Sequence, residues 1–352
     1  MNTNIDKLLR ENIKKLTPYS SARDEFKGEA SILLDANENA FGSPLPFSYN
    51  RYPDPLQLKL KNKISQIKGI PVNNIFVGNG SDEAIDLLFR AFCRPGIDNV
   101  IIVPPTYGMY EVSANINDVA VKKVNLTSDF QLDLAGIAEA IDEQTKLVFV
   151  CSPNNPTGNS INRDDIETIL TNFNGLVIID EAYINFAKQK SFTQELAEYN
   201  NLVILQTLSK AWGLAGLRIG MAFASEEIIA IFNKIKPPYN INEASQKLAI
   251  EALENISEVN AWIIEIVNER EKLHAALLAL PFVHTVYPSD ANFILAQVTD
   301  PKAIYNYLVT LGIIIRDRSS VTLCEGCLRI TVGTPEENQA LLNALAAYQK
   351  NK

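Results

Sequence analysis

The sequence predicts an α/β fold: a large unit with a mostly parallel sheet covered by helices, followed by a smaller α+β unit. Three observations carry this. From about residue 56 to 236, short apolar runs alternate with amphipathic segments, the pattern of strands buried on both faces beneath covering helices. Several runs stop abruptly in polar, glycine- or proline-rich turns, and in open α/β sheets such strand ends face the ligand. Finally, Pro237-Pro238 breaks the chain, and a long helical stretch (243–280) leads to only two clear strands, 292–296 and 328–332.

In chain order, an amphipathic helix is expected over 5–16, then a proline-rich extended arm over 44–55. Ile75-Phe76-Val77-Gly78-Asn79-Gly80-Ser81-Asp82 follows as a strand, a glycine turn and a helix start. Free N–H groups and the helix dipole at Ser81 and Asp82 suit a phosphate, although the segment has neither a third glycine nor a Gly-Lys-Ser/Thr ending, and taken alone it reads better as a capped helix. Strands are expected at 99–103, 119–125, 147–151, 176–180 and 202–206. The third of these, 147–151, feeds the rigid turn Ser152-Pro153-Asn154-Asn155-Pro156-Thr157-Gly158, and the fourth, 176–180, ends in Asp180 and Glu181. Lys210 lies among small residues in Thr207-Leu208-Ser209-Lys210-Ala211-Trp212-Gly213-Leu214-Ala215-Gly216-Leu217-Arg218, with its nearest charged neighbour eight positions away. A surface lysine ordinarily stands among charges; a lysine that holds an aldehyde cofactor needs this kind of neighbourhood.

Together these elements, their order, and the thirty positions between Asp180 and Lys210 resemble the fold-type I aminotransferases that use pyridoxal 5'-phosphate. The resemblance runs from Tyr19 to Gly333. It implies that Lys210 binds the cofactor covalently and shuttles the proton, that Asp180 pairs with the pyridine nitrogen, and that Tyr183 and Asn155 hydrogen-bond the phenolic oxygen. Ser209, Arg218, Ser81 and Asp82 would hold the phosphate, and Tyr107 would stack on the ring. A finer resemblance, to the histidinol-phosphate aminotransferase branch, rests on Asp35-Ala36-Asn37-Glu38-Asn39, Asn50-Arg51-Tyr52-Pro53-Asp54, Ile315-Arg316-Asp317-Arg318 and Cys327-Leu328-Arg329-Ile330-Thr331-Val332-Gly333. It implies a homodimer with shared sites, in which Tyr52 reaches the neighbouring subunit's cofactor phosphate. Arg329, Arg316, Tyr19 and Asn37 would contact substrate. Trp212 replaces the phenylalanine commoner in that branch.

The resemblance gives as expected reaction the transfer of an amino group from L-histidinol phosphate to 2-oxoglutarate, yielding imidazole acetol phosphate and L-glutamate in L-histidine biosynthesis. An aromatic amino acid aminotransferase, a threonine-phosphate decarboxylase and a non-catalytic binding module stay open. Two planar guanidinium forks suit both a phosphate and a dicarboxylate, though Arg316, beside Asp317 and Arg318, reads equally well as a surface ion pair. Tyr19, Tyr107 and Tyr110 are candidate walls of the imidazole pocket.

The implied units are 41–240 for the large cofactor-binding domain and 1–40 with 241–352 for a discontinuous small domain. Net charge is −9 over 352 residues, with no basic cluster for nucleic acid. No run of about 20 apolar residues offers a membrane span, and residues 1–20 lack a secretory leader's apolar stretch; a cytoplasmic protein is expected. Cys93 and Cys151 read as core residues. Cys324 and Cys327 form half a zinc motif with no second pair, and the two histidines lack metal-like spacing. No metal is expected, and the Cys324–Cys327 turn has reversible oxidation as its alternative.

Overall fold

The computed structural model describes residues 3–19 and 32–350. Seven strands form the large sheet: β1 (Ile75–Asn79), β2 (Asn99–Ile102), β3 (Ala120–Lys123), β4 (Thr145–Cys151), β5 (Leu176–Asp180), β6 (Leu202–Thr207) and β7 (Ile219–Phe223). Their order is β1-β7-β6-β5-β4-β2-β3. Every pairing is parallel except the two made by β7. The inner strands are apolar throughout because both faces are covered: β4, β5 and β6 are buried almost without interruption. One face packs under helices such as Ser81–Phe92 and Glu226–Ile235, with Phe89, Phe149, Val203 and Phe232 in its core. The other face buries Val148, Ile179, Ile204 and Phe223.

The second sheet is antiparallel, β10 (Arg316–Asp317), β11 (Cys327–Thr331), β9 (Phe293–Val298) and β8 (Val283–Val286) in that order. The helices Ile256–Leu278, Pro301–Thr310 and Pro335–Lys350 accompany it, with a core of its own around Leu273, Ile294, Ile304 and Leu328.

Three features depart from the sequence pattern. The expected helix over 5–16 is two short helices, Ile5–Leu8 and Glu11–Lys14. Arg10 breaks it: its N–H donates to the Ala91 carbonyl at 3.0 Å and its Nη1 to the Arg90 carbonyl at 2.8 Å, which satisfies the open end of the helix Ser81–Phe92. The described start of the chain lies against the large sheet, where the implied division attaches 1–40 to the small unit: Ile5 is in the large sheet's core, and Thr3 and Asn200 exchange two hydrogen bonds. Residues 20–31 of that segment lie outside the described residues. The helical stretch 243–280 is split into Glu243–Ala252 and Ile256–Leu278, and Ala249, Leu253 and Val259 join the large unit's core because their apolar side chains meet the helix Leu58–Lys68 side of the sheet.

No helix among the described residues is long and apolar enough to cross a membrane.

Candidate active site

The parallel strands of the large sheet deliver their carboxyl ends to one edge. There β1 ends at Asn79, just before Gly80, β4 enters the Asn155 turn, β5 ends at Asp180, and β6 runs out three residues before Lys210. Because β7 is antiparallel, its first residue, and Arg218 just before it, lies at that same edge. One cavity of about 130 Å³ at this edge is lined by Ser81, Asp82, Tyr107, Asn155, Asp180, Tyr183, Ser209, Lys210 and Arg218. These are all the cofactor contacts expected from within one chain.

One end of the cavity is built for an anion. The helix Ser81–Phe92 starts without a side-chain cap, which leaves its first N–H groups open. Gly80 has φ +71° and donates its N–H to the Arg218 carbonyl at 2.7 Å; a Cβ there would stand 2.6 Å from Arg218 Nη2. Gly220 lies so close beneath the turn that a Cβ would fall 2.1 Å from Ser81 N, so only glycine lets β7 approach. Arg218 itself adopts left-handed backbone, φ +58°, an uncommon state that holds its guanidinium over the cup, 3.5 Å from Asp82. Ser209 Oγ is buried with no hydrogen-bond partner, an orphaned donor that an anion's oxygen would satisfy.

The other end holds Asp180. It is buried and takes the Ala182 N–H on Oδ1 at 3.1 Å and the Tyr110 hydroxyl on Oδ2 at 2.7 Å. Burial pushes its carboxyl above the ordinary range, against the pull of the Tyr110 and Ala182 bonds and of Lys210. Such a carboxyl is poised to meet a cationic nitrogen. Between the two ends, Lys210 Nζ stands 5.5 Å from the Tyr183 ring centroid. Its amine is held below the usual lysine range, chiefly by desolvation and then by Arg329, with Asp180 opposing. Asn155 Nδ2 donates to Tyr183 Oη at 3.4 Å, and its Oδ1 accepts from Arg329 Nη1. Burial raises the Tyr183 phenol above its ordinary range, so it stays protonated.

A second cavity of about 530 Å³ opens above Lys210, lined by Tyr107, Asn155 and Tyr183 on the large-sheet side and by Arg316, Arg318 and Arg329 on the other. Its cationic wall comes from the small sheet, where Arg316 lies directly opposite Arg329.

Comparison with known proteins agrees with this geometry. The family described as Aminotransferase class I and II matches residues 45–345. A histidinol-phosphate aminotransferase from Parabacteroides distasonis is 55% identical over 96% of this chain and 97% of its own length. This chain belongs to the class I and II aminotransferases. Among solved structures, the histidinol-phosphate aminotransferase from Clostridium acetobutylicum superposes with a TM-score of 0.79 at 26% identity, covering 86% of this chain and 92% of that one. The enzyme of that name from Sinorhizobium meliloti, solved in complex with pyridoxal-5'-phosphate, shares the fold with a TM-score of 0.78 at 24% identity over 90% of each chain.

In this aminotransferase, three expected contacts stand apart from the lysine. Tyr52 stacks on Tyr239 at 4.5 Å, half-exposed, and shares with Asn37 a separate cavity of about 630 Å³; Tyr19 is exposed. Phe41, Leu45 and Phe47 are also open to solvent on this arm. Tyr110 is not a pocket wall. It is fully buried, stacked on Phe149 at 4.8 Å, and its hydroxyl is committed to Asp180. Tyr107, just before the helix Met109–Ile116, meets the Tyr110 ring edge to face at 5.6 Å and in turn reaches Asp82 at 3.3 Å. Arg316 is in no ion pair among the described residues, because Asp317 takes the Ser319 N–H and hydroxyl instead.

All four cysteines are buried free thiols, and no cluster of metal-binding side chains occurs among the described residues. Burial pushes Cys324 up to about 12 and Cys327 up to about 11, far from the thiolate that oxidation needs.

Proposed function

We propose that this enzyme transfers the amino group of L-histidinol phosphate to 2-oxoglutarate, forming imidazole acetol phosphate and L-glutamate in L-histidine biosynthesis. The observation that carries the reading is the near full-length identity of 55% to a histidinol-phosphate aminotransferase, in a chain whose lysine, acid and arginines converge on one edge. We further propose a cytoplasmic homodimer, with 41–240 as the body of the cofactor-binding unit and the small unit drawn from within 241–352. Tyr52 and Asn37, set apart on an exposed apolar arm, fit a role in the second subunit's site.

The cavity matches pyridoxal 5'-phosphate end for end. Ser81 and Asp82 backbone N–H groups, Ser209 and Arg218 would hold the phosphate, and Asp180 would hold the ring nitrogen. Tyr107 would cover one face of the ring, and Tyr183 and Asn155 would hold its phenolic oxygen. The bound cofactor supplies an aldehyde for Lys210 and an electron-accepting ring.

The protein's own work is then proton handling and orientation. Lys210, freed once the substrate amine takes its place, would take the proton from the substrate α-carbon and deliver it to the carbon on the far side of the amine nitrogen; its lowered pKa keeps a larger share of free base near neutrality. Asp180 keeps a proton on the ring nitrogen. Tyr183 and Asn155 bias the protonation of the nitrogen at the reacting carbon. Arg316 and Arg329 orient the substrate's anionic end and the carboxylate of the second substrate.

The test is the visible absorption spectrum of the loaded enzyme, with L-histidinol phosphate added in the absence of 2-oxoglutarate. The band of lysine-bound cofactor should give way to that of aminated cofactor and return when 2-oxoglutarate is supplied. An unchanged band, or release of carbon dioxide, would transfer the assignment to an aromatic amino acid or to threonine phosphate.

Tyr110 acts on this chemistry through Asp180. Tyr110→Phe deletes one oxygen from a packed ring and should lower kcat by on the order of 10-fold or more, as loss of a hydrogen bond to a charged group does. The fold should stay intact, while the pH at which the cofactor's absorption titrates moves. A wild-type titration in the variant would reduce Tyr110 to a packing residue.

A further inference from the structure

The small sheet presents more positive charge to the active site than one monoanion requires. Arg316 in β10 stands opposite Arg329 in β11. Arg318 follows two positions later, and its N–H donates to the Cys327 carbonyl at 2.8 Å, so the ladder continues through it. Strand alternation therefore places Arg316, Arg318 and Arg329 on one face and Asp317 on the other. All three guanidinium groups line the cavity that Lys210 also lines.

Their charges are not compensated by protein. Like charges placed directly opposite across a sheet repel, and none of the three arginines is in an ion pair among the described residues. The Nε atoms of Arg318 and Arg329 are both buried with no hydrogen-bond partner. The three side chains differ in freedom. Arg329 is anchored, with Nη1 on Asn155 and its guanidinium 5.2 Å from the Phe293 ring centroid. Arg316 is exposed, whereas Arg318 is half-buried. A carboxylate can be gripped by a single planar fork. A phosphomonoester carries up to two charges and three terminal oxygens, enough to engage a further guanidinium.

We propose that Arg318 is a specificity-determining residue that favours a phosphomonoester dianion over a carboxylate at the substrate's distal end. This rests on the function proposed above and adds a third cation to the two arginines assigned there. Arg318 is engaged when phosphate occupies the cavity and is left largely unused when glutamate does.

The experiment measures the two half-reactions separately, by single turnover with L-histidinol phosphate and with L-glutamate, in the wild type, Arg318→Gln and Arg318→Lys. In Arg318→Gln the ratio of kcat/KM for histidinol phosphate to that for glutamate should fall on the order of 10- to 100-fold, the loss coming mainly through KM. Inorganic phosphate, used as a competitor of the glutamate half-reaction, should weaken by a similar factor. Arg318→Lys keeps the charge without the fork and should fall between; it also serves if the glutamine variant does not fold. An unchanged ratio with unchanged phosphate inhibition would overturn the proposal, as would a parallel loss for both substrates. If the wild type failed to react with histidinol phosphate, the proposed function would fall, while phosphate inhibition would still report on Arg318.

Discussion

Lys210→Ala is expected to abolish turnover, with a loss of at least about 10³-fold, because in the proposed mechanism one side chain is both the covalent tether and the proton carrier. No other group lining the cavity can replace it. The other polar groups lining the cavity are two acids, two phenols, an amide, three hydroxyls, a thiol and one guanidinium, which remains charged at any working pH. The variant should still bind pyridoxal 5'-phosphate noncovalently, since the anion cup of Gly80, Ser81, Ser209 and Arg218 and the Asp180 end do not depend on the lysine. Equilibrium dialysis would show retained cofactor, and the spectrum would lack the lysine-bound band. Turnover near the wild-type rate would refute the role of Lys210.

Asp180→Ala should separate chemistry from folding. In the proposed mechanism Asp180 holds the ring nitrogen, so its loss should lower kcat on the order of 10²–10³-fold, the scale of removing one preorganised electrostatic contact. Stability should respond differently. Burial raises the Asp180 pKa in the folded apoenzyme, so the protonated carboxyl is tolerated in acid, and that tolerance is lost as pH rises through the raised value. The variant escapes this cost near neutrality but leaves the Tyr110 hydroxyl unpaired, a penalty of about 1–3 kcal/mol. Thermal melts of the apo proteins should therefore show the variant gaining on the wild type as pH is raised from acid to neutral. If instead kcat held and stability fell at every pH, Asp180 would be only the residue that accepts the Ala182 N–H at the strand end.

How much of this was legible depends on whether the signal was local. The runs ending at Asp180 and Cys151 are continuous apolar segments followed by polar turns, and only strands buried on both faces read that way; β5 occupies the expected residues without a shift. The residues of the cofactor cavity sit at such ends and were found together. What the pattern hid is long-range. The direction of β7, which returns Arg218 to the Ser81 turn, is a property of pairing, and Ile219-Gly220-Met221-Ala222-Phe223 carries no mark of it. The break at Arg10 answers a carbonyl eighty residues away. Ala249 and Leu253 side with the large unit because of the helix they touch, while their own spacing only says that they are apolar. Tyr110 is one more buried aromatic until its hydroxyl is seen against Asp180.

The amide of Asn155 joins two duties that a reaction scheme would list separately. Its oxygen accepts from Arg329, on the small sheet, while its nitrogen donates to Tyr183. A phosphate or carboxylate held by Arg329 would share that guanidinium, whose Nε has no partner of its own, with the amide oxygen. The anion's arrival would then be announced to the phenol beside Lys210 through a single side chain, and an amine without an anionic tail would leave the message unsent.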